Sequence, residues 1–125
     1  MLVRSRFAKQ NEDIGETIIG NTFSTRCGGK GANQAVAVAK LCKISSEMRF
    51  VSTIGDDSNG KEIYSTLKSM GVNVNDVIAL PKATTGVASI CIDGAGENSI
   101  IVVPGANALF SNTIVGRRDD FSSLV

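Results

Sequence analysis

Apolar and polar residues recur along this chain with two different periods, which predict strands and helices in turn. Residues 1–14 carry several charges and show no clear period, so we expect irregular structure there. Residues 16–26 (ETIIGNTFSTR) are rich in Thr, Ile and Phe, which favours one or two short strands. Residues 32–42 are rich in alanine and follow a run of glycines, so they predict a helix that packs closely on a sheet.

A second pair of predicted strands encloses a second predicted helix. Residues 48–55 (MRFVSTIG) predict a buried strand, and residues 72–80 (VNVNDVIAL) alternate as a further strand does. Between them, Ile63, Leu67 and Met70 recur at the spacing of one helix face. This part of the sequence therefore predicts a strand, a helix and a strand in succession.

The ends of this second helix are marked by residues that favour helix termini. Asp57, Ser58 or Asn59 can cap the first turn, because a short polar side chain accepts a hydrogen bond from a free backbone N–H. Gly71 follows the last apolar position, where a left-handed C-terminal cap is expected.

The last part of the chain predicts a hairpin. Residues 86–93 (GVASICID) and 98–104 (NSIIVVP) are extended runs with a glycine-containing turn between them, and residues 108–120 predict the start of a helix. Strands thus alternate with helices along the chain. We therefore expect one α/β domain over residues 1–125, with a partial, doubly wound and mostly parallel sheet.

Charge and composition exclude several classes of function. The chain has 125 residues, and its 13 Lys and Arg against 12 Asp and Glu give a net charge of +1, so we expect no nucleic-acid partner. The sequence holds no His, which excludes His-based triads and His metal ligands, and we expect no metal site. No apolar run approaches the ~18 residues of a membrane span, so no membrane partner is expected.

The cysteines indicate a compartment. Cys27, Cys42 and Cys91 match neither a zinc pattern nor a disulfide framework, which favours free thiols in a reducing compartment. The first residues are basic but lack the apolar core of a secretory signal. We therefore expect a cytoplasmic protein.

Residues 27–41 (CGGKGANQAVAVAKL) place glycines and a lysine just before a predicted helix. The phosphate-binding loop G-x-x-x-x-G-K-[ST] is excluded, because Gly31 stands where that loop has its hydroxyl and no glycine stands five residues before Gly29. The dinucleotide fingerprint G-x-G-x-x-G also fails, since Gln34 occupies its third glycine position.

A neutral, polyhydroxylated ligand such as a sugar suits these residues better. Gly28 and Gly29 allow the backbone to approach a ligand closely, and the first N–H groups of a helix have no partner within it. Lys30 only donates, whereas Asn33 both donates and accepts, and their spacing brings them to one side of a helical turn. A glycine-rich helix entry with an exposed lysine explains the same spacing without any ligand.

The segment GGKGANQAVAVAKL (residues 28–41) closely resembles the first signature of the ribokinase family, the PfkB-type carbohydrate kinases. GETIIG (15–20) resembles the segment ahead of it, and TIGDDSNG (53–60) resembles the family's G-x-D-x-x-G turn. TTGVASICIDGAGENSIIVVPGAN (84–107) is similar to the lid hairpin of the family and the turn after it. The resemblance implies a ribokinase-like α/β fold with a small β-sheet lid.

The resemblance also implies an activity and a site. Members of the family transfer the γ-phosphoryl group of ATP to a sugar hydroxyl with Mg²⁺, and D-ribose, giving ribose 5-phosphate, is the sugar expected here. By resemblance, Gly29, Lys30 and Asn33 bind the sugar hydroxyls and Gly28 shapes the turn.

A lid and a dimer follow from the same resemblance. Residues of about 17–26 and 86–103 correspond to the lid, in which Ala88 and Val102 present apolar surface to the sugar. Ordinary packing within a hairpin explains Ala88 and Val102 equally well. The lid sheets of the family commonly pair two subunits, so a homodimer is implied.

The sequence departs from the family in two respects. Residues 1–14 do not match the family's opening strand or its G-x-x-x-x-D segment, which grips the sugar. Family chains are more than twice as long, and their later half carries the nucleotide site and the catalytic Asp of a G-A-G-D motif. The GAGE at residues 94–97 lies between two predicted strands, so Glu97 is interpreted as an exposed turn residue.

These departures predict a fragment that holds most of a sugar-binding half, is inactive alone and is marginally stable. No catalytic residue is assigned within it. Two alternatives stay open. The chain is either a catalytically dead module that binds sugar or dimerises through its lid, or a truncated product without function. The choice of sugar also stays open, because one or two hydroxyl contacts discriminate only weakly.

Overall fold

A computed structural model describes residues 2–8, 19–41 and 48–111, the first of these ranges by its backbone alone. Six strands, two α-helices and a short 3-10 helix are seen in these ranges. In chain order they are β1 (Leu2–Ala8), β2 (Gly20–Cys27), α1 (Lys30–Leu41), β3 (Ser52–Gly55), α2 (Ser58–Ser69), β4 (Val77–Leu80), β5 (Val87–Ile92), β6 (Asn98–Val103) and the 3-10 helix (Gly105–Leu109).

β3, α2 and β4 form one parallel unit, as the order of the sequence predicts. β3 and β4 pair in parallel from Ser52 opposite Val77 to Gly55 opposite Leu80. Apolar residues of β3, of both helices and of the loop before β4 form the core. The buried members of this core are Ala35, Ile54, Ile63, Leu67, Val72 and Val74.

The other four strands form a mixed sheet in the order β2-β1-β5-β6. β1 pairs antiparallel with β2 and parallel with β5, and β5 pairs antiparallel with β6 as the hairpin prediction requires. The two predicted lid segments, 17–26 and 86–103, thus contribute strands to one sheet with β1 between them. Residues 17 and 18 lie outside the described residues.

The prediction of irregular structure over residues 1–14 is wrong for Leu2–Ala8, which form a strand. The sequence LVRSRFA has three polar or charged residues in succession, Arg4, Ser5 and Arg6, so it lacks the regular alternation by which a strand is recognised. In the sheet, backbone groups of β1 pair with neighbours on both sides. Pairing by two partners therefore determines this strand, and hydrophobic patterning does not.

Several boundaries differ from those predicted. The strand predicted over residues 72–80 is regular only from Val77, because Val72 and Val74 serve the core from a loop. The strand predicted over residues 48–55 is regular only from Ser52. After β6 the described chain forms a 3-10 helix, and the helix predicted over residues 108–120 lies mostly outside the described residues.

The predicted ends of α2 are confirmed. Asp57 is the N-cap residue, with extended backbone (φ −135°) and a side chain that accepts from the N–H of Gly60. Gly71 follows the helix with φ +84°, a left-handed conformation that glycine adopts without a Cβ penalty. Local end signals thus place α2 correctly in the sequence.

Candidate functional site

The glycine loop joins the four-stranded sheet to α1. β2 ends at Cys27, Gly28 is buried, and Gly29 has φ +110°, a conformation that a residue with a side chain adopts only at a cost. The N–H of Asn33 donates to the carbonyl of Gly29 at 2.9 Å, which is the first backbone bond of the helix. The turn therefore needs glycine, and it delivers Lys30 as the first residue of α1.

The predicted binding residues lie around two neighbouring cavities. A cavity of about 480 Å³ is lined by Gly28, Gly29 and Lys30, together with residues of β3, α2 and the segment after β6. A second cavity of about 440 Å³ between α1 and α2 is lined by Gly28 and Asn33. The structure thus brings Gly28, Gly29 and Lys30 together, and it places Asn33 on the adjoining cavity that shares Gly28.

The first cavity combines an apolar wall with a few polar groups. Lys30 is its one charged side chain among the described lining residues, and Ser52, Thr53 and Asn107 supply the polar side chains. Its apolar lining comes mainly from β3 and the segment before it, from α2 and from the end of the described chain, through Phe50, Ile54, Ile63, Leu67 and Phe110. Such a lining suits a small ligand that offers hydroxyl groups and a carbon skeleton.

Ala88 and Val102, the predicted lid residues, are direct partners across β5 and β6. Directly opposed residues of an antiparallel pair project from the same face of the sheet. Ala88 is 2% exposed, whereas Val102 on the edge strand is 56% exposed. The structure therefore puts both residues on one face, with Ala88 covered and Val102 open.

Asp57 joins the turn after β3 to the segment that leads into β5. Its Oδ2 accepts the N–H of Thr85 at 2.8 Å, and its Oδ1 accepts the hydroxyl of Thr85 at 2.6 Å and the N–H of Gly60 at 2.8 Å. The hydroxyl oxygen of Thr85 in turn accepts the N–H of Gly55 at 3.0 Å. The sequence predicted the cap at Asp57 but not its bond to Thr85, 28 residues further on.

The pKa of Asp57 reflects opposing effects. Burial by itself raises this pKa, but the hydrogen bonds from the Thr85 side chain, the Thr85 backbone and the Gly60 backbone together lower it below its ordinary value of 3.8. Hydrogen bonds that donors make to the ionised form favour that form. Asp57 is therefore a carboxylate at neutral pH.

The return strand of the hairpin is tied to the same region. The hydroxyl of Thr53 donates to the carbonyl of Ala106 at 2.8 Å, and the N–H of Ala106 donates to the carbonyl of Thr84 at 2.7 Å. A Cβ on Gly86 would overlap the side-chain amide of Asn107, so the segments before β5 and after β6 pack without space between them. The sequence alone did not single out Thr53, Thr85 or Asn107. Their only signals were the family resemblance over residues 53–60 for Thr53 and over residues 84–107 for the other two.

The tip of the hairpin agrees with the interpretation of Glu97. Oδ1 of Asp93 accepts the N–H groups of Ala95 and Glu97, each at 2.9 Å. Glu97 is exposed in this turn between β5 and β6. The GAGE segment is thus a hairpin turn organised by Asp93.

The described ranges hold neither a metal-binding cluster nor a membrane-spanning helix. Within residues 2–8, 19–41 and 48–111, no group of three or more His, Cys, Asp and Glu residues is placed to hold a metal ion. In the same ranges, no helix has both the length and the apolar composition needed to cross a membrane.

The fold and the glycine loop place the chain in a known family. The pfkB family of carbohydrate kinases matches residues 3–120, and the chain belongs to it. The chain is similar to a ribokinase from Schizosaccharomyces pombe, with 48% identity over 96 residues that make up 74% of this chain and 30% of that protein. It is also similar to a deoxyribokinase from Salmonella typhi, with 37% identity over 111 residues, which are 89% of this chain and 35% of that one.

The fold comparison agrees with the sequence comparison. The structure of Arabidopsis thaliana ribokinase complexed with ribose and ATP matches with a TM-score of 0.73 and 37% identity, covering 85% of this chain and 34% of that one. The expected ribokinase-like α/β fold is therefore confirmed. The chain spans about a third of the length of the relatives it matches, 30% of one and 35% of another.

Proposed function

We propose that this chain is the sugar-binding part of an ATP-dependent sugar kinase that converts D-ribose to ribose 5-phosphate. The observation that carries the proposal is the cavity beside the glycine turn, where Lys30 is the one charge among the described lining residues. A neutral sugar needs hydrogen-bond donors and acceptors together with apolar surface, and this lining offers both. Membership of a carbohydrate kinase family supports the same ligand class.

Each predicted residue has a role in this proposal. The backbone at Gly28 and Gly29 lies against the sugar, and the ammonium of Lys30 donates to one hydroxyl. The amide of Asn33, one turn further along α1, donates to and accepts from other hydroxyls. Because Asn33 lines the adjoining cavity, the bound sugar has to extend from the first cavity toward the second to reach this amide.

The sheet that contains β5 and β6 acts as a lid in this proposal. Val102, which is open, presents apolar surface to the sugar, and its covered partner Ala88 lies beside it on the same face. This surface excludes water from the hydroxyl that attacks ATP. In a family-length kinase ATP would supply the phosphoryl group, and Mg²⁺ would neutralise the phosphate charge. The nucleotide site and the catalytic Asp belong to the part of a family-length kinase that this chain does not span, so the chain alone binds ribose without turnover.

Pairing of two copies through the lid also belongs to the proposal. All six residues of β6 are exposed, and four of them, Ile100 to Val103, are apolar. An exposed apolar edge strand is a surface that a second chain covers by pairing with it. Neither Cys27 nor Cys91 is in a disulfide among the described residues, which supports a reducing, cytoplasmic location.

D-ribose binding by the pure chain tests the proposal. We expect calorimetric titration to detect D-ribose binding, and Lys30→Ala and Asn33→Ala each to weaken the affinity by about tenfold, the loss of one good hydrogen bond. Lys68→Ala, which removes an exposed lysine from the last turn of α2, is the matched control and should bind as the wild type does.

Two results would contradict the proposal. Unchanged affinity in both the Lys30 and Asn33 variants would remove the site from the glycine loop. Phosphorylation of D-ribose by the chain alone, with ATP and Mg²⁺, would show that the phosphoryl-transfer residues lie within it. Binding of 2-deoxyribose with the same affinity as D-ribose would leave the proposed site unchanged and widen its sugar specificity.

A further inference from the structure

We propose that Asp57 and Thr85 are positioning residues that hold the β5–β6 hairpin at a set place over the sugar site. This inference rests on the proposed sugar-binding function for its biological meaning. It rests on the hydrogen bonds of the described residues for its geometry. Neither residue is assigned any contact with the sugar.

Asp57 does more than cap a helix. One N–H at the start of α2, that of Gly60, satisfies a capping role, and this bond uses Oδ1. The two hydrogen bonds from Thr85 are additional to the cap. The bond from the Thr85 N–H uses Oδ2, which accepts no hydrogen bond from α2. Because both carboxylate oxygens hold Thr85, the carboxylate fixes the backbone and the side chain of that residue together.

Thr85 suits this role through its own hydroxyl. The hydroxyl donates to Asp57 and accepts from the N–H of Gly55, and the residue is only 3% exposed. Only a side chain with one donor and an acceptor on the same short branch makes both bonds, which restricts the position to Thr or Ser. The bonds therefore tie the last residue of β3 to the segment that leads into β5.

This tie lies at the base of the predicted lid hairpin. Thr85 is three residues before Ala88, and the other arm is tied by the bond from the Thr53 hydroxyl to Ala106, four residues after Val102. The two arms are also joined by the bond from Ala106 to Thr84. Both arms of the hairpin are thus held to β3 and the turn after it, so a shift at Thr85 moves Ala88 and Val102 together.

The packing around the tie leaves little freedom. A Cβ on Gly55 would lie 2.5 Å from the carbonyl oxygen of Ala83 and from the nitrogen of Thr85. The two backbone segments therefore pack against each other with no space for a side chain at position 55. A rigid anchor below a hairpin lets the hairpin close over a ligand in one reproducible position. Asp57 and Thr85 therefore affect the affinity for the sugar by setting the position of Ala88 and Val102 in the hairpin.

Three variants of the full 125-residue chain separate positioning from simple stability. Thr85→Ser keeps both hydroxyl bonds, whereas Thr85→Val keeps the shape and removes them. Asp57→Asn keeps a side chain that caps α2 well but replaces one acceptor oxygen with a donor that faces Thr85. D-ribose affinity and amide hydrogen exchange, residue by residue, are measured for each.

We expect Thr85→Val and Asp57→Asn to weaken D-ribose binding by about tenfold, the effect of losing one hydrogen-bonded partner, and Thr85→Ser to restore it to within about twofold. Exchange should quicken more at the β5 and β6 amides than at Ala35 in the core of α1, where exchange reports general stability. Quickening at Ala35 to the same extent would show a general loss of stability and overturn the inference.

The two proposals fail separately. If the wild type does not bind D-ribose, the proposed function is wrong. Amide hydrogen exchange in the hairpin then still tests whether the hydrogen bonds between Asp57 and Thr85 hold it in place. If the wild type binds D-ribose and Asp57→Asn binds it equally well with unchanged hairpin exchange, the positioning role is overturned. Should Thr85→Val not fold, Asp57→Asn and Thr85→Ser carry the comparison.

Discussion

At the scale of single residues, Asp57 is the position at which local and long-range structure meet. The same carboxylate caps α2 through Gly60 and holds Thr85 from the segment before β5. Its pKa is lowered by these bonds, although burial opposes the shift. Its ionisation is therefore linked to the free energy of unfolding.

The lowered pKa predicts how the stability contribution of Asp57 changes with pH. A group with a depressed pKa stabilises the folded state fully above its unfolded-state pKa, near 3.8, and loses this contribution as the pH falls through its folded-state pKa. We expect Asp57→Asn to lower the thermal unfolding midpoint most at neutral pH, with the difference from wild type shrinking as the pH falls below 3.8 and through the lowered pKa of Asp57.

A neighbouring carboxylate provides the control for that measurement. Asp56 is exposed, so Asp56→Asn should leave the unfolding midpoint close to that of the wild type across the same range of pH. A difference between wild type and Asp57→Asn that stays constant from neutral to acid pH would contradict the linkage.

At the scale of elements, two helical glycines have opposite surroundings. A Cβ on Gly60 in α2 would overlap the carbonyl oxygen of Gly55, a backbone atom that cannot move without shifting β3. A Cβ on Gly31 in α1 would meet only the ring of Phe50, at an ordinary contact distance of 3.9 Å. α2 thus packs so closely on β3 that only glycine fits at position 60, whereas α1 has space for a side chain at position 31.

These two glycines form a matched pair of substitutions. We expect Gly60→Ala to lower the free energy of unfolding by about 2 kcal/mol, because a methyl group is forced against backbone. Gly31→Ala should raise it by about 0.5 kcal/mol, because alanine has the better helix propensity and space is available. Urea denaturation measures both, and destabilisation by Gly31→Ala equal to that by Gly60→Ala would contradict this account.

At the scale of the whole molecule, the longest run of exposed apolar side chains among the described residues lies in β6. Ile101 is 69% exposed, and the strand lies at one edge of the four-stranded sheet with no neighbour beyond it among the described residues. β3 also pairs with a single strand, β4, within the described ranges. Unpaired backbone groups beside apolar side chains favour association with another chain.

Association through β6 is testable with one charge. We expect the chain to elute as a dimer or larger species by size-exclusion chromatography with light scattering, and Ile101→Lys to shift it toward the monomer, since a lysine on an edge strand opposes pairing. Gln34→Lys adds the same charge on the exposed face of α1 and should not alter the mass. An unchanged mass for Ile101→Lys would place the contact elsewhere.

Much of the fold followed from short-range signals in the sequence. The period of Ile63 and Leu67, the cap at Asp57 and the glycine after α2 determined that helix, and a glycine turn between apolar runs determined the hairpin. The glycine loop also identified Gly28, Gly29 and Lys30, which the structure gathers on one cavity. These features depend on residues within a few positions of one another, so the sequence alone determined them.

The tertiary structure decided what depends on distant partners. β1 is a strand because β2 and β5 both pair with a segment that lacks a regular alternation of apolar and polar residues. Asn33 lines the second cavity because the packing of α1 against α2, and not the spacing of residues, sets which side of the helix is covered. The tie between Asp57 and Thr85 spans 28 residues, and such bonds form only where the chain brings the two together.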